Sequence, residues 1–260
     1  MLISDIIQAL EEFAPRAYQE SYDNAGLCVG NARAEARGAL LCLDVTEAVV
    51  QEAVDKNINL IISHHPVIFS GVRQLTGSTA AERIVQQSIK RDIALYAAHT
   101  NLDSVRGGVS EKMCDKLGLA NRSILQPAAA SPGVGLGMVG ELPAALSAAD
   151  FLQRVKKAFG SVFIKYANTC KKNIHSVAVC GGSGSALITS AVRASADAFV
   201  TGDLKYHELQ AASEHLMAVD VGHYESEIAA VEIFFEVITK KFPTFVPCLS
   251  LAAENPVKYT

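Results

Sequence analysis

Ile58-Asn59-Leu60-Ile61-Ile62-Ser63-His64-His65-Pro66 reads as a buried β-strand that stops on two imidazoles. Two other apolar runs end in a similar way. Ile93-Ala94-Leu95-Tyr96 leads to His99-Thr100-Asn101-Leu102-Asp103, and Met217-Ala218-Val219 leads to His223-Tyr224-Glu225-Ser226-Glu227. Imidazoles and carboxylates gathered at the carboxyl ends of buried strands are what a divalent-metal site needs, and open α/β sheets bind ligands in that same crevice.

Working outward, strand and helix signals alternate. Ser4 is expected to cap an opening helix with Ile6, Ile7, Leu10 and Phe13 on one face, and Thr46 a helix reaching about Lys56. Strands are expected at Ala39 to Leu43, Ile58 to Ile62 and Ile93 to Ala98. Helices are expected at Thr79 to Lys90 and, closed by Gly118, at Val109 to Leu117. Pro127, Pro132 and four glycines between residues 127 and 143 suggest a boundary followed by an edge strand. Beyond it come a helix from Ser147 to Phe159, strands at 162–166, 177–180, 198–201 and 217–221, and a long helix from about Ser226 to Lys240. The alternation predicts an α/β fold of two similar lobes with a dinuclear metal site in the cleft between them. Lobe one takes residues 1–126 plus 217–260 and holds metal; lobe two takes 127–216.

The chain also overlays itself. At an offset of 138, Leu60-Ile61-Ile62-Ser63 falls on Ala198-Phe199-Val200-Thr201; at 124, His99 to Asp103 falls on His223 to Glu227. Chance likeness between two Ala/Val-rich βα units is the competing explanation.

Composition narrows the function classes. Half of the 260 residues are apolar and the formal net charge is −4, with no basic stripe, so nucleic acid is a poor partner. No apolar run approaches the roughly 20 residues that span a bilayer, and no cationic segment precedes a hydrophobic one at the start, so a cytoplasmic protein is expected. Six cysteines without a Cys-x-x-Cys pair read as buried free thiols, not as zinc ligands.

Each chemistry-bearing group also has a plainer reading. His223 and Glu227, four apart, share a helix face and point at one spot, although exposed His/Glu helix pairs are common. Adjacent residues in a strand face opposite ways, so His64 and His65 can serve one site only where the strand has ended. Asp103 could merely cap a helix, and Asp203 in Thr201-Gly202-Asp203-Leu204-Lys205 could do the same. The glycine-rich Cys180-Gly181-Gly182-Ser183-Gly184-Ser185 could hold a phosphate or be a tight turn. Taken together, three imidazoles (His64, His65, His223) and two carboxylates (Asp103, Glu227) suffice for two divalent ions if Glu227 bridges them. The donors do not distinguish Zn, Mn, Fe, Co or Ni. His99 is cast as a group behind the ligands or as a proton carrier, and His207 as a substrate-facing one.

His64-His65-Pro66, His99-Thr100-Asn101-Leu102-Asp103, Thr201-Gly202-Asp203 and Gly222 to Glu227, together with Asp23-Asn24-x-Gly26, resemble the GTP cyclohydrolase I type 2, or Nif-three-like, family. The resemblance implies a two-lobed α/β subunit, a dinuclear centre between the lobes and a ring-shaped homohexamer. It implies the metal ligands His64, His65, Asp103, His223 and bridging Glu227. Tyr22 stands where members often have Trp, and 260 residues leave no room for the domain that longer members insert.

The function expected is a metal-dependent hydrolase. Activated water attacks an electrophilic carbon, His99 and His207 move protons, and Asp23, Asn24, Asp203 and Lys205 meet a small-molecule substrate, by resemblance GTP or a related nucleotide. The alternative is a non-catalytic hexameric scaffold or metal carrier, distinguished by tight metal binding without turnover.

Overall fold

The computed structural model describes residues 1–128, 131, 133–168, 173–258 and 260. Ala129, Ala130 and Pro132 of the expected boundary, and Cys170, lie outside them. The chain forms two compact units, Met1–Leu102 with Ala230–Pro256 and Asp103–Ala229 with Val257–Thr260.

In chain order the first unit contains α1 (Ile3–Phe13), β1 (Gly26–Val29), β2 (Ala39–Cys42), α2 (Glu47–Asp55), β3 (Leu60–Ser63), α3 (Ala80–Lys90) and β4 (Ala94–Ala97). A short α4 (Thr100–Asp103) carries the chain into the second unit. There follow α5 (Val109–Leu117), β5 (Ala120–Pro127), β6 (Gly135–Ser147), α6 (Ala148–Phe159), β7 (Lys165–Tyr166) and β8 (Asn173–Ser183). The second unit continues with α7 (Ile188–Arg193), β9 (Ala198–Gly202), α8 (Tyr206–Ser213), β10 (Met217–Asp220) and α9 (His223–Glu227). Then α10 (Ala229–Lys241) and β11 (Cys248–Leu249) return to the first.

Local chemistry accounts for most of these ends. Thr46, Thr79 and Ser147 each accept a backbone N–H from the first turn of the helix they precede, satisfying a donor that the helix cannot. Gly118 closes α5 at φ 66°, a left-handed conformation that costs glycine nothing. Ser4 does not cap α1 but lies within it; a β-bridge from Leu2 to Glu35 holds the preceding residue extended, and Asp5 accepts the Leu2 N–H at 2.8 Å.

Every residue of β2, β3 and β4 is buried, as fits parallel strands covered on both faces. The first sheet runs β1-β4-β3-β2-β11, with β1 antiparallel to β4 and the others parallel. The second runs β5-β6-β8-β9-β10-β7. Alternate residues of β8, β9 and β10 feed different cores. Val177, Val179, Val200 and Val219 pack with Met113 and Leu117 of α5 and Phe151 and Val155 of α6. Ala178, Phe199 and Ala218 pack with Ala191 of α7 and Ala212 of α8.

Three expectations change. The edge strand expected at 127–143 is interior: β6 lies between β5 and β8, and the polar β5 (Asn121, Arg122, Ser123, Gln126) takes the edge. The long last helix begins at His223 and is interrupted at Ile228. The division falls at 102/103 and 229/230, not at 126/127 and 216/217. Met113, Cys114 and Leu117 share a core with the second sheet, and β10 pairs with β9 there.

The internal overlay has a structural counterpart. Both units contain a helix, a strand that pairs antiparallel, and three parallel strands alternating with helices, in the orders β1-β4-β3-β2 and β7-β10-β9-β8. Ala39, Leu60 and Ala94 lie in one register row, and Val177, Ala198 and Met217 in the other. The first two members of each row differ by 138, the offset found in sequence. From Ala94 to Met217 the offset is 123, against 124 from His99 to His223. Ala98 alone separates β4 from His99, whereas Val221 and Gly222 separate β10 from His223. Among the described residues no helix is long and apolar enough to cross a membrane.

Candidate metal centre

In the first unit, β3 ends at Ser63, so the next two residues are released from strand alternation. Both His64 and His65 donate their backbone N–H to the Leu43 carbonyl, and Ser63 Oγ donates to the His65 carbonyl at 2.8 Å. Both rings then lie on one side, with centroids 5.1 Å apart. His99, just beyond the neighbouring strand β4, lies 5.2 Å from His64 and 5.4 Å from His65. One nitrogen from each of the three falls within 4.8 Å of the others, close enough for a shared ion.

The other nitrogens are occupied in a consistent way. Nδ1 of His64 meets the Ala98 carbonyl at 2.8 Å, that of His65 meets Asp44 at 2.7 Å and that of His99 meets Asp23 at 2.8 Å. Facing acceptors, each Nδ1 carries the proton, and Nε2 is left with the lone pair that a metal uses. Asp23 also accepts from the Thr100 N–H and hydroxyl. Burial alone would raise its pKa, but the hydrogen bonds from His99 and Thr100 outweigh that and hold it well below the usual carboxylate range.

In the second unit, Gly222 (φ 97°) turns the chain from β10 into α9, and His223 and Glu227 meet on one helix face, Nε2 to Oε2 2.8 Å. Nδ1 of His223 meets Asp203 at 2.7 Å. The Glu227 carboxylate pushes His223 up to about 9, against the pull of burial, and Asp203 adds to the effect. A carboxylate oxygen of Asp103 lies within 4.8 Å of one of Glu227. Both acids bear on Cys180, whose thiol is raised first by burial and then by these charges, so it stays protonated and is a poor ligand. Cys42 and Cys114 are buried thiols as expected, but Cys28 is half-buried and Cys248 exposed.

The glycine loop has a packing role. A side chain on Gly182 would overlap the Glu227 carboxylate. The Gly182 N–H donates to Ser226 Oγ and the Gly184 N–H to Thr201 Oγ1, so these donors are not turned to a phosphate. Asp203 (φ 56°) is no helix cap either; Lys205 precedes α8, its N–H held by Glu208. Asn24 donates to the Ile68 carbonyl at 2.6 Å, next to Asp23 on His99. Lys205 and His207 are exposed, and His207 reaches Gln210 and the Tyr206 ring.

Two contributors were not singled out from sequence. Asp44 lies two residues past the end of β2 as His65 lies two past that of β3, and its place beside a neighbouring strand end is the signal that could have found it. Asp220, 4% exposed, accepts the N–H groups of Leu204 and Gly222 and pairs with Lys165 at 2.7 Å. It thereby pins both turns that carry Asp203 and His223.

The family profile described as Duf34/NIF3 (NGG1p interacting factor 3) matches residues 1–256. A GTP cyclohydrolase 1 type 2 homolog of Clostridium acetobutylicum is 34% identical over 89% of this chain and 87% of its own. A protein of the same name from Clostridium perfringens is 32% identical over the full length of both. The crystal structure of a hypothetical protein of Staphylococcus aureus superposes with a TM-score of 0.91 at 28% identity, covering 100% of this chain and 99% of that one.

Proposed function

From the chain's membership of the Duf34/NIF3 family, we propose that it is a divalent-metal-dependent hydrolase whose dinuclear centre is completed by donors from both units. His64, His65, Asp103, His223 and Glu227 would hold the ions. The observation that carries this is that four imidazoles each have Nδ1 on an oxygen acceptor, with Nε2 left to a metal in His64, His65 and His99 and set against the Glu227 carboxylate in His223. Nitrogen and oxygen donors without thiolate fit Zn, Mn, Fe, Co or Ni.

Divalent ions held there would supply Lewis acidity and a nucleophile at neutral pH. The protein's own part is positioning and proton transfer. His99 accepts a proton at Nε2, and Asp23 steadies the imidazolium that results. Lys205 and His207, exposed at the start of α8, are assigned to the substrate, for which the names of the relatives supply the class: GTP or a related nucleotide. The assembly is a cytoplasmic homohexameric ring.

Purified protein stripped with chelator and reloaded with Zn, Mn or Fe tests each part. Two ions per chain are expected, with loss of at least one in Glu227→Gln. Turnover of GTP or another nucleotide is expected with at least one metal. Stoichiometric metal binding with no turnover under any metal would leave a metal carrier instead of an enzyme. Light scattering should report six chains of 27.6 kDa.

A further inference from the structure

Immediately after His64-His65-Pro66 the chain forms one wall of a cavity of about 590 Å³, lined from Val67 to Leu75 and by the start of α3. Cavities of roughly 300–1,000 Å³ suit small organic ligands. The Phe69 ring, at the edge of this cavity, lies 6.1 Å from the His99 ring.

Both ends of the wall are fastened. Asn24 holds the Ile68 carbonyl at 2.6 Å, and Gln86 holds that of Leu75 at 2.7 Å. Glu82 accepts the N–H groups of Thr76, Gly77 and Ser78. Between these anchors Phe69 and Val72 stand 47% and 46% exposed, with Leu75 at 42%. Large apolar side chains clustered at the mouth of a cavity mark a binding surface.

The lining carries two charged side chains, Arg73 and Glu82. The Glu82 carboxylate is committed to the loop amides and to the hydroxyls of Thr76, Ser78 and Thr79. Arg73 makes no ion pair or hydrogen bond among the described residues. The charge this cavity offers a ligand is therefore positive.

We propose that the cavity binds a small organic anion, its apolar body against Val67, Val72, Leu75 and Val85 and its acidic group on Arg73, with Phe69 facing His99. This deepens the hydrolase reading by naming the substrate class as an acid with an apolar body. It rests on that reading only for the ligand's being the substrate.

The test is dye binding to the metal-free protein. 1-Anilinonaphthalene-8-sulfonate supplies an aromatic body with an anion, and N-phenyl-1-naphthylamine a similar body without one. Saturable binding of the sulfonate dye is expected. Arg73→Ala should weaken it about tenfold, the scale of one charge-assisted contact, while leaving the neutral dye unchanged. Val72→Asp should weaken the neutral dye by about as much. Unchanged binding of both dyes in both variants would overturn the proposal, as would equal losses of the two dyes in Arg73→Ala. Thermal melts confirm folding, and zinc uptake by the variants is measured separately. A protein that discriminates the dyes yet takes up no zinc keeps this inference and removes the hydrolase reading.

Discussion

Asp44 is about half exposed, yet its contact with Nδ1 fixes which nitrogen of His65 faces the cluster. Asp44→Ala should lower divalent-metal affinity by about 10- to 100-fold, the range typical of groups that orient a ligand, with little change in fold. Competition with a chromogenic chelator reads this, and an unaltered affinity would remove Asp44 from the site. Gly182 is less forgiving. At φ 58° a non-glycine residue costs about 1–2 kcal/mol, and its Cβ would displace the Glu227 carboxylate. Gly182→Ala should lose metal binding and lower Tm, whereas Gly71→Ala, with open space around it, should do neither.

At the scale of elements, Glu52 of α2 fastens the segment that follows β11. Its carboxylate accepts the N–H groups of Leu251 and Ala252 and the Ser250 hydroxyl, and pairs with Lys56. Burial opposes ionisation, but the bonds from Lys56, Ser250, Leu251 and Ala252 outweigh it and bring its pKa to about 2. A carboxyl depressed in the folded state contributes stability above its ordinary value of 4.5 and loses it as pH falls towards 2. The protection factors of the Leu251 and Ala252 amides, measured against their intrinsic exchange rates, should therefore fall across that window, and at neutral pH in Glu52→Gln. Protection independent of pH would refute the role. Elements of this kind were legible where apolar runs met a cap, as at Thr46 and Thr79. β5 was not, because an exposed, polar edge strand lacks the alternation that marks a half-buried one. The break at Ile228 was hidden too, since both sides of it carry helix-forming residues.

For the whole molecule, ligands that bind only the folded state raise its stability by mass action, about 2.7 kcal/mol at a hundredfold excess over Kd. At this size about 2–4 °C per kcal/mol follows, so zinc should raise Tm by roughly 5–10 °C. The rise should vanish in His64→Ala; an equal rise there would place the ion elsewhere. The repeated topology was half-visible in sequence. The strands align at an offset of 138, and Val50, Ala53 and Val54 of α2 fall on Ile188, Ala191 and Val192 of α7 in the same register, but Gly222 shifts the second histidine by one position. Three imidazoles in one unit and two acids with one imidazole in the other were readable as types. Their orientation was not, because it depends on Asp23, Asp44 and Asp203, which reach His99, His65 and His223 from other loops, and on the Ala98 carbonyl, which holds His64.

The first unit is split in sequence, with Ala230–Pro256 supplied only after Asp103–Ala229 of the second. During synthesis, then, the continuous middle portion can reach its native state while still tethered to the ribosome. The portion translated first must wait, its sheet open along β2, until α10 and β11 emerge at the end of translation. Premature termination just after Ala229 would release a chain that holds Asp103–Ala229 of the second unit beside an unfinished first, and chaperones and proteases would meet its amino-terminal segment, Met1–Leu102.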